Sequence, residues 1–270
     1  MVDSFEINKA HWNEAVEVHV RSSFYGVAAF LAGEDALSPI ESEEIGPLAG
    51  RRLLHLQCHF GLDTLCLARR GAVATGLDFA AQAVERARRL SREAKLEARF
   101  VEGNVYDAPD LIEERFEIVY VTWGALCWLP DMARWGRVVA RMLEPGGFLY
   151  LLDDHPFASC LEQDDPDGPI APAYDYFQGA EPMVFHNQGT YADREARLAN
   201  TASHEWNHGL GTILTALTGA GLAIEWLHEH DRLAWRRFPC LEEGPDRMYR
   251  LPAGRPRLPL AFSLTARAGS

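Results

Sequence analysis

The stretch that most constrains this chain covers residues 51–78. An apolar run at 53–56 ends at a turn, Gly61 opens a segment with apolar residues at helical spacing, and a second apolar run ends on Asp78. A strand that leads into a helix and returns to a strand ending in a carboxylate is typical of the nucleotide-binding half of a doubly wound sheet. The free N–H groups at the helix start favour a polar ligand. We expect the Asp78 carboxylate to accept hydrogen bonds from both hydroxyls of a ribose.

The strand and helix alternation continues to about residue 152 and then breaks. Further elements are predicted from period and length: strands 98–102, 116–122 and 148–152, with helices 80–92 and 132–142 between them. Beyond residue 152 comes a long segment rich in turn residues, and segments of that length are usually functional. Later elements are predicted as follows: a pair of cap strands within 183–191 and 198–206, a helix near 210–217, and strands 222–228 and 258–266.

The residues before position 51 are predicted to form a helical extension. Apolar side chains at spacings of three and four run through 5–31 with a break at 24–26, which predicts two helices. Residues 32–50 are acidic, contain glycine and proline, and are predicted to be a connection. We therefore expect an N-terminal helical lid over 1–50 and a main domain over 51–270, with a substrate-cap insertion over about 153–208.

The charge and the cysteine content limit the function classes. The 270 residues carry a formal net charge of −13, which disfavours the broad basic face that nucleic-acid binding needs. The five cysteines form no CxxC pair and are odd in number, as expected of free thiols in a reducing compartment. The acidic start predicts no apolar leader, and the sequence shows no apolar run of membrane-spanning length. We expect a cytoplasmic monomer or homodimer that binds a small-molecule substrate, with no nucleic-acid or membrane partner.

Several short motifs follow one another in a fixed order along the chain. They are the loop at 55–61, the acid Asp78, the loop Gly103-Asn104-Val105, the strand end at Thr122 and the turn Pro145-Gly146-Gly147. In this order they resemble the class I S-adenosylmethionine-dependent methyltransferase family of small-molecule type, well over 51–152 and more loosely over 209–267. The resemblance implies an α/β fold: a Rossmann-like doubly wound seven-stranded sheet with the last strand antiparallel, an N-terminal helical extension and a cap insertion after strand five.

The resemblance also implies where S-adenosylmethionine, the cofactor of that family, would bind. The implied cofactor-binding residues are Tyr25, Gln57, His59, Gly61, Asp78, Phe79, Asn104, Val105 and Thr122. Asp78 would bind the ribose, and the side-chain oxygen of Asn104 would bind the adenine amino group. The family usually has glycines where Gln57 and His59 stand, and an acid where His55 stands. The side chains of Gln57 and His59 must therefore point away from the cofactor or contact its methionine end.

Methyl transfer from a sulfonium mainly requires alignment of the reacting groups. A base is needed only when the nucleophile carries a proton. The candidate catalytic residues are His155, His208, His204 and Tyr25. His155 follows strand five beside two carboxylates that could orient it, and His204 and His208 precede the 210–217 helix. We expect an S-adenosylmethionine-dependent methyltransferase acting on an oxygen or nitrogen nucleophile of a small metabolite, with carbon as a further option.

Three other interpretations were weighed against this one. Residues 204–208 match HExxH, a zinc-protease signature that requires both histidines on one helix face. Gly209 and Gly211 argue against a continuous helix there, so no metal site is predicted. An NAD(P)-dependent oxidoreductase on a similar fold is disfavoured because 55–61 lacks GxGxxG. A non-catalytic S-adenosylmethionine-binding module stays open because the first loop departs from the family pattern.

Overall fold

A computed structural model of the protein describes residues 3–269; positions 1, 2 and 270 of the predicted lid and main domain lie outside the described residues. The helices are α1 Ser4–Arg21, α2 Val27–Leu31, α3 Pro39–Glu44, α4 Leu62–Arg69, α5 Ala81–Ala94, α6 Ala108–Leu111, α7 Met132–Met142, α8 Pro156–Ser159 and α9 Leu210–Gly219. The strands are β1 Arg52–Leu56, β2 Val73–Asp78, β3 Arg99–Glu102, β4 Phe116–Thr122, β5 Leu143–Asp154, β6 Leu161–Glu162, β7 Ala171–Pro172, β8 Met183–His186, β9 Ala202–Glu205, β10 Leu222–His230, β11 Arg232–Leu233, β12 Glu242–Glu243, β13 Tyr249–Arg250 and β14 Ala261–Ala268.

The main sheet has seven strands in the order β10-β14-β5-β4-β1-β2-β3. Strands β1 to β5 run parallel, and β14 is antiparallel to both of its neighbours. The predicted fold class, a doubly wound seven-stranded sheet with the last strand antiparallel, is confirmed. Because β1 pairs with both β2 and β4, the strand order reverses there, and ligands bind at the carboxyl ends of strands around such a switch point.

Alternate residues of β4 face the two helical layers that cover the sheet. Ile118 and Tyr120 pack with the layer that contains α4 and α5, whereas Val119 and Val121 pack with the layer that contains α7 and α9. This alternation explains the nearly continuous apolar run, which a strand buried on both faces requires. Each fully buried aliphatic side chain stabilises the fold by roughly 1.5–3 kcal/mol. The sheet therefore provides a rigid edge for the loops that follow its strands.

The segment 32–50 contains a helix, so the prediction of a plain connection there is wrong. Ser38 and Glu41 form a reciprocal capping box at the start of α3, with Pro39 in its first turn. This arrangement satisfies two backbone N–H groups that a short helix otherwise leaves without partners. It also turns the Glu41 side chain into the protein interior, where the residue is 1% exposed.

Helix α1 lies across the sheet edge and contacts the cap. Asn13 Oδ1 accepts from the Gln82 N–H at 2.9 Å, at the start of α5. On the other side, Asn8 pairs with the backbone of His204 through two hydrogen bonds of 2.8 Å. Strands β8 and β9 pair antiparallel, which confirms the predicted pairing of two cap strands, although both are shorter than expected. The N-terminal helix is thus held between α5 and the cap.

The start of β5 and the end of β10 differ from the predicted boundaries. Strand β5 begins at Leu143, because Leu143 already pairs with Phe116 of β4 before the turn at 145–147, and regular pairing resumes at Phe148. Strand β10 continues to His230 along its whole pairing with β14. Within residues 3–269, no helix combines the length and the apolar character needed to cross a membrane.

Candidate cofactor and substrate cavity

The loop after β1 has an alternating left-handed backbone. The φ angles of Gln57, His59 and Gly61 are 58°, 50° and 75°, in the region that favours glycine. A side chain in this conformation costs roughly 1–2 kcal/mol. Hydrogen bonds offset part of that cost, because Gln57 Nε2 donates to the Ala125 carbonyl at 2.7 Å and the His59 N–H donates to Asp78 Oδ2 at 2.7 Å. The loop therefore keeps a glycine-type geometry with side chains at two of its three left-handed positions.

Gly61 is the position in this loop that tolerates no side chain. A Cβ atom there would lie 2.5 Å from Phe100 Cε1 and 2.9 Å from the Ala87 Cβ. Gly61 therefore meets two requirements together, a left-handed φ and close packing of the loop on β3 and α5. This explains why it is retained where Gln57 and His59 replace glycine.

Asp78 ends β2 and is 5% exposed. Its two oxygens accept from the backbone N–H groups of His59, at 2.7 Å, and Ala80, at 2.9 Å. Burial raises the pKa of Asp78 to about 6, and the hydrogen bonds from Ala80 and His59 oppose that shift. Each carboxylate oxygen keeps a further lone pair, so the group can still accept hydrogen bonds from a ligand.

A cavity of about 1100 Å³ lies over this edge of the sheet. A volume of this size is sufficient for two small molecules side by side. Its walls come from the lid, the strand ends and the cap, and include Trp12, His19, Tyr25, Glu41, Gln57, His59, Asp63, Asp78, Phe79, Thr122, Asp154, Tyr191, Glu205, Trp206, His208 and Trp235.

Of the predicted catalytic residues, Tyr25 and His208 line this cavity. The Tyr25 and Tyr191 hydroxyls form a hydrogen bond, and burial raises the pKa of Tyr25 well above its usual value. His208 Nε2 donates to the Leu129 carbonyl at 2.6 Å, and burial lowers the His208 pKa. Both polar groups are therefore engaged in contacts that join the cap to neighbouring segments.

The structure does not bring His155 or His204 to the cavity wall. His155 Nδ1 accepts from the Phe157 N–H at 3.1 Å, which caps α8, and its Nε2 bonds Glu229 Oε1 at 3.0 Å. His204 Nδ1 bonds the Ser4 hydroxyl at 2.8 Å at the contact between lid and cap. Both ring nitrogens of His155 therefore form hydrogen bonds with Glu229 and Phe157. The predicted orientation of His155 by the neighbouring aspartates is not what the structure shows.

The predicted cofactor residues divide in the same way. Gln57, His59, Asp78, Phe79, Thr122 and Tyr25 line the cavity, whereas Gly61, Asn104 and Val105 do not. Asn104 Oδ1 accepts from the Tyr106 N–H at 3.0 Å, and Val105 is buried in the core. The Phe5 ring of α1 packs on Phe79 at 5.1 Å between centroids. The lid thus covers the side of the site where the adenine was expected.

Sequence reasoning missed Glu41. Its carboxylate accepts from the Tyr120 hydroxyl, from Trp123 Nε1 at 3.0 Å and from the Ser38 N–H at 2.8 Å. It lies near the carboxyl end of β1, where His55 replaces the family's acid and bonds Thr64 Oγ1 at 2.8 Å. The S-x-x-E pattern at 38–41, a capping-box signature, was the available signal.

The two aspartates at the end of β5 have different environments. Asp153 accepts from the backbone N–H groups of Gly124 and Leu126, so it organises the loop after β4. Asp154 lines the cavity and accepts from Trp235 Nε1 at 3.2 Å. Burial and the Asp153 charge raise the pKa of Asp154 to about 7, while Arg237 opposes the shift. Neighbouring carboxyls in unlike environments commonly take different roles, one structural and one in proton transfer.

The HExxH segment is not a helix. His204 lies in β9 and His208 in the loop that precedes α9, so the two imidazoles do not share a helix face. Within residues 3–269, no group of three or more His, Cys, Asp or Glu side chains is arranged to hold a metal ion.

Several buried polar atoms on the cavity wall have no partner among the described residues. They are Trp12 Nε1, His19 Nε2, Gln57 Oε1 and Trp206 Nε1. Buried polar atoms in native proteins nearly always have a partner. Their concentration around one cavity, next to the Asp78 carboxylate, fits a polar ligand with several hydrogen-bonding groups, as S-adenosylmethionine has.

Comparison with known proteins agrees with this geometry. Residues 54–151 match the family described as a methyltransferase domain. Over 103 residues the chain is 36% identical to the ubiquinone biosynthesis O-methyltransferase of Alkalilimnicola ehrlichii, covering 38% of this chain and 41% of that protein. The chain spans between two-fifths and half of the length of the curated relatives it matches.

Solved structures show a similar fold over nearly the whole chain. An S-adenosylmethionine-dependent methyltransferase from Mesorhizobium loti has a TM-score of 0.58 at 23% identity, covering 88% of this chain and 99% of that one. The CcbJ methyltransferase from Streptomyces caelestis has a TM-score of 0.62 at 16% identity, covering 97% and 98%. Fold and motifs together define a doubly wound methyltransferase domain. The chain is similar to the class I S-adenosylmethionine-dependent methyltransferases, in sequence over residues 54–151 and in fold over most of its length.

Proposed function

We propose that this protein transfers the methyl group of S-adenosylmethionine to an oxygen nucleophile of a small molecule held in the cavity. The observation that carries the proposal is that residues 57–60 of the loop after β1, Asp78 and the Asp154 carboxyl line one cavity of about 1100 Å³. Oxygen is preferred over nitrogen or carbon because relatives of the methyltransferase region are named O-methyltransferases.

The proposed cofactor position follows the wall of the cavity. Asp78 would accept from the ribose hydroxyls, because its carboxylate is held in place by two backbone N–H groups. Phe79, packed under Phe5, would contact the adenine. Gln57 and His59 would contact the methionine end, since both side chains line the cavity from the loop after β1.

When bound, S-adenosylmethionine supplies a methyl group that is already activated on a sulfonium. The protein's own part is to align the acceptor and to take its proton. Asp154 is proposed as the base because its carboxyl lines the cavity, is held by the Trp235 indole at 3.2 Å, and has a pKa raised by burial to about 7. The acceptor hydroxyl would lose its proton to the Asp154 carboxylate, a contribution of about 10²–10⁴-fold in rate.

The lid and the cap would keep water out of the cavity. The Tyr25 hydroxyl of the lid bonds the Tyr191 hydroxyl of the cap, and the rings of Trp12 and Trp128 meet edge to face at 5.2 Å. Excluding water strengthens the electrostatic interactions inside a site. Tyr25 and His208 are therefore proposed to close and shape the cavity.

Calorimetry with S-adenosylmethionine, S-adenosylhomocysteine and NADH tests the proposed cofactor. We expect heat from the first two ligands and none from NADH. Binding of NADH alone would instead support an oxidoreductase. Transfer of a tritiated methyl group to a panel of small phenols then tests the reaction: labelled product supports the enzyme, whereas cofactor binding with no transfer to any acceptor would support a non-catalytic module.

A further inference from the structure

One corner of the cavity joins the lid to the loop after β1. Trp12 and His19 project from α1 towards His59, and His19 Nδ1 and His59 Nε2 form a hydrogen bond of 2.9 Å. The Trp12 ring lies 5.7 Å from the His19 ring and 5.0 Å from the His59 ring, measured between centroids. All three residues line the cavity.

Two buried polar atoms in this corner have no partner among the described residues. They are Trp12 Nε1 and His19 Nε2. His19 is 1% exposed, so water does not replace the partner freely. An indole N–H can only donate, so the group that Trp12 requires is a hydrogen-bond acceptor.

The protonation of the histidine pair is consistent with a second donor. Burial lowers the pKa of His19 to about 3 and that of His59 well below its usual value, so both rings are neutral at pH 7. A neutral pair places one hydrogen in the bond between them. When that hydrogen is on His59 Nε2, the other nitrogen of His19, Nε2, carries its own hydrogen. Trp12 and His19 then offer two N–H groups in one corner, an arrangement suited to the two oxygens of a carboxylate.

We propose that Trp12 and His19 bind the α-carboxylate of the methionine moiety of S-adenosylmethionine, so that the lid selects for ligands with an amino-acid end. This inference rests on the proposed function. His59 links the corner to the ribose site, because its side chain bonds His19 while its backbone N–H bonds Asp78. The amino group of the same moiety is a cation, and the acidic side chain of Asp63 also lines the cavity, where burial raises its pKa well above the usual value.

The test compares two ligands that differ only in the carboxylate, S-adenosylmethionine and decarboxylated S-adenosylmethionine. Calorimetric Kd values are measured for the wild type and for Trp12→Phe, which removes the N–H and keeps an aromatic ring. We expect the wild type to prefer the carboxylate-bearing ligand. Trp12→Phe should weaken its binding roughly tenfold or more and leave decarboxylated S-adenosylmethionine nearly unchanged.

Two substitutions at His19 sharpen the test. Asparagine places an amide near the Nδ1 position, and glutamine reaches the Nε2 position. His19→Asn should therefore lose the preference for the carboxylate, and His19→Gln should recover part of it. Trp135→Phe is the matched control, because it removes another unpartnered indole N–H, from a buried residue that does not line the cavity. It should leave the ratio of the two Kd values unchanged.

Equal weakening of both ligands by Trp12→Phe and by both His19 variants would overturn the inference, since it would mean that these residues only pack. An unchanged Kd for S-adenosylmethionine in all three variants would overturn it as well. Failure of the proposed function looks different, because then the wild type itself would bind neither S-adenosylmethionine nor S-adenosylhomocysteine.

Discussion

The two ends of the cavity hold their carboxylates in different ways. At the cofactor end, Asp78 accepts from two backbone N–H groups that lie within or next to the loop after β1 and the start of α5. At the acceptor end, Asp154 is held by the indole of Trp235, and the Arg237 charge acts on it from the same distant segment. The first arrangement depends on local backbone geometry, and the second depends on side chains brought together by the fold.

This difference explains why only one end of the cavity could be predicted from the sequence. Backbone N–H groups are present at every non-proline residue, so a cofactor loop needs mainly the right turn, and a turn leaves a short pattern in the sequence. Side chains such as Trp235 and Asp154, which meet across 81 positions, leave no such pattern.

Gly61→Ala should destabilise the protein by about 2–5 kcal/mol, from left-handed strain together with overpacking against Phe100 and Ala87. Gly124→Ala, in the loop after β4, is the matched control. Gly124 also has a left-handed φ, of 70°, but nothing lies within 4 Å of the added Cβ. The control should cost only about 1–2 kcal/mol. Urea unfolding measures both, and equal losses would contradict the packing argument at the cofactor end.

Asp78→Ala should weaken binding of S-adenosylhomocysteine by about 1.5–3 kcal/mol, because a charged hydrogen bond to the ribose is lost. Burial raises the Asp78 pKa to about 6, and only the ionised carboxylate accepts from both hydroxyls. The wild-type Kd should therefore fall as the pH rises from 5 to 7.5. Calorimetry across this range, with Asp78→Asn as the control, should give a flatter profile for the variant. An unchanged affinity in Asp78→Ala would refute the ribose assignment.

Asp154→Asn should stabilise the fold at pH 8 by about 1 kcal/mol or more, since one unit of pKa difference corresponds to about 1.4 kcal/mol. The folded-state pKa, about 7, lies above the ordinary value of an aspartate. The folded state therefore binds more protons between about pH 4 and 7, and wild-type stability falls as the pH rises through that window. Urea unfolding at pH 5 and pH 8 checks the sign. A variant that is less stable at pH 8 would show that Asp154 is a structural carboxylate like Asp153.

Removing the hydrogen bond between the Tyr25 and Tyr191 hydroxyls should have a smaller effect on stability. Tyr25→Phe and Tyr191→Phe should each cost about 0.5–1.5 kcal/mol in the free energy of unfolding. The double variant should cost less than the sum, because the two hydroxyls bond each other. Additive losses in the double-mutant cycle would mean that the lid and the cap are not coupled through this bond.

Treatment with a chelator should change neither the stability of the protein nor its affinity for S-adenosylhomocysteine. The histidines of the HExxH segment bond Ser4 and the Leu129 carbonyl rather than facing a common ion. We expect the same thermal unfolding midpoint and the same S-adenosylhomocysteine affinity before and after EDTA. A loss that zinc restores would instead place a metal at this segment.

The choice between His155 and Asp154 shows where sequence reasoning stopped. Both lie on the rim after β5, and His155 was the predicted candidate because the two neighbouring carboxylates could orient its ring. In the structure, His155 caps α8, while burial moves the pKa of Asp154 to about 7. Burial and distant charges decide a pKa, and neither is visible from the neighbouring residues.

Local sequence determined the doubly wound sheet, the turn at 57–61 and the position of Asp78, because strand burial, helix starts and tight turns depend on residues within a few positions of each other. Gln57 and His59 show the limit of that reasoning, since the turn keeps its left-handed geometry without the usual glycines. Only the tertiary structure decided that Trp12, His19, Glu41, Asp154 and Trp235 meet the same cavity. Their contacts join segments that are far apart in sequence, and packing of the lid and the cap on the sheet edge is what brings them together.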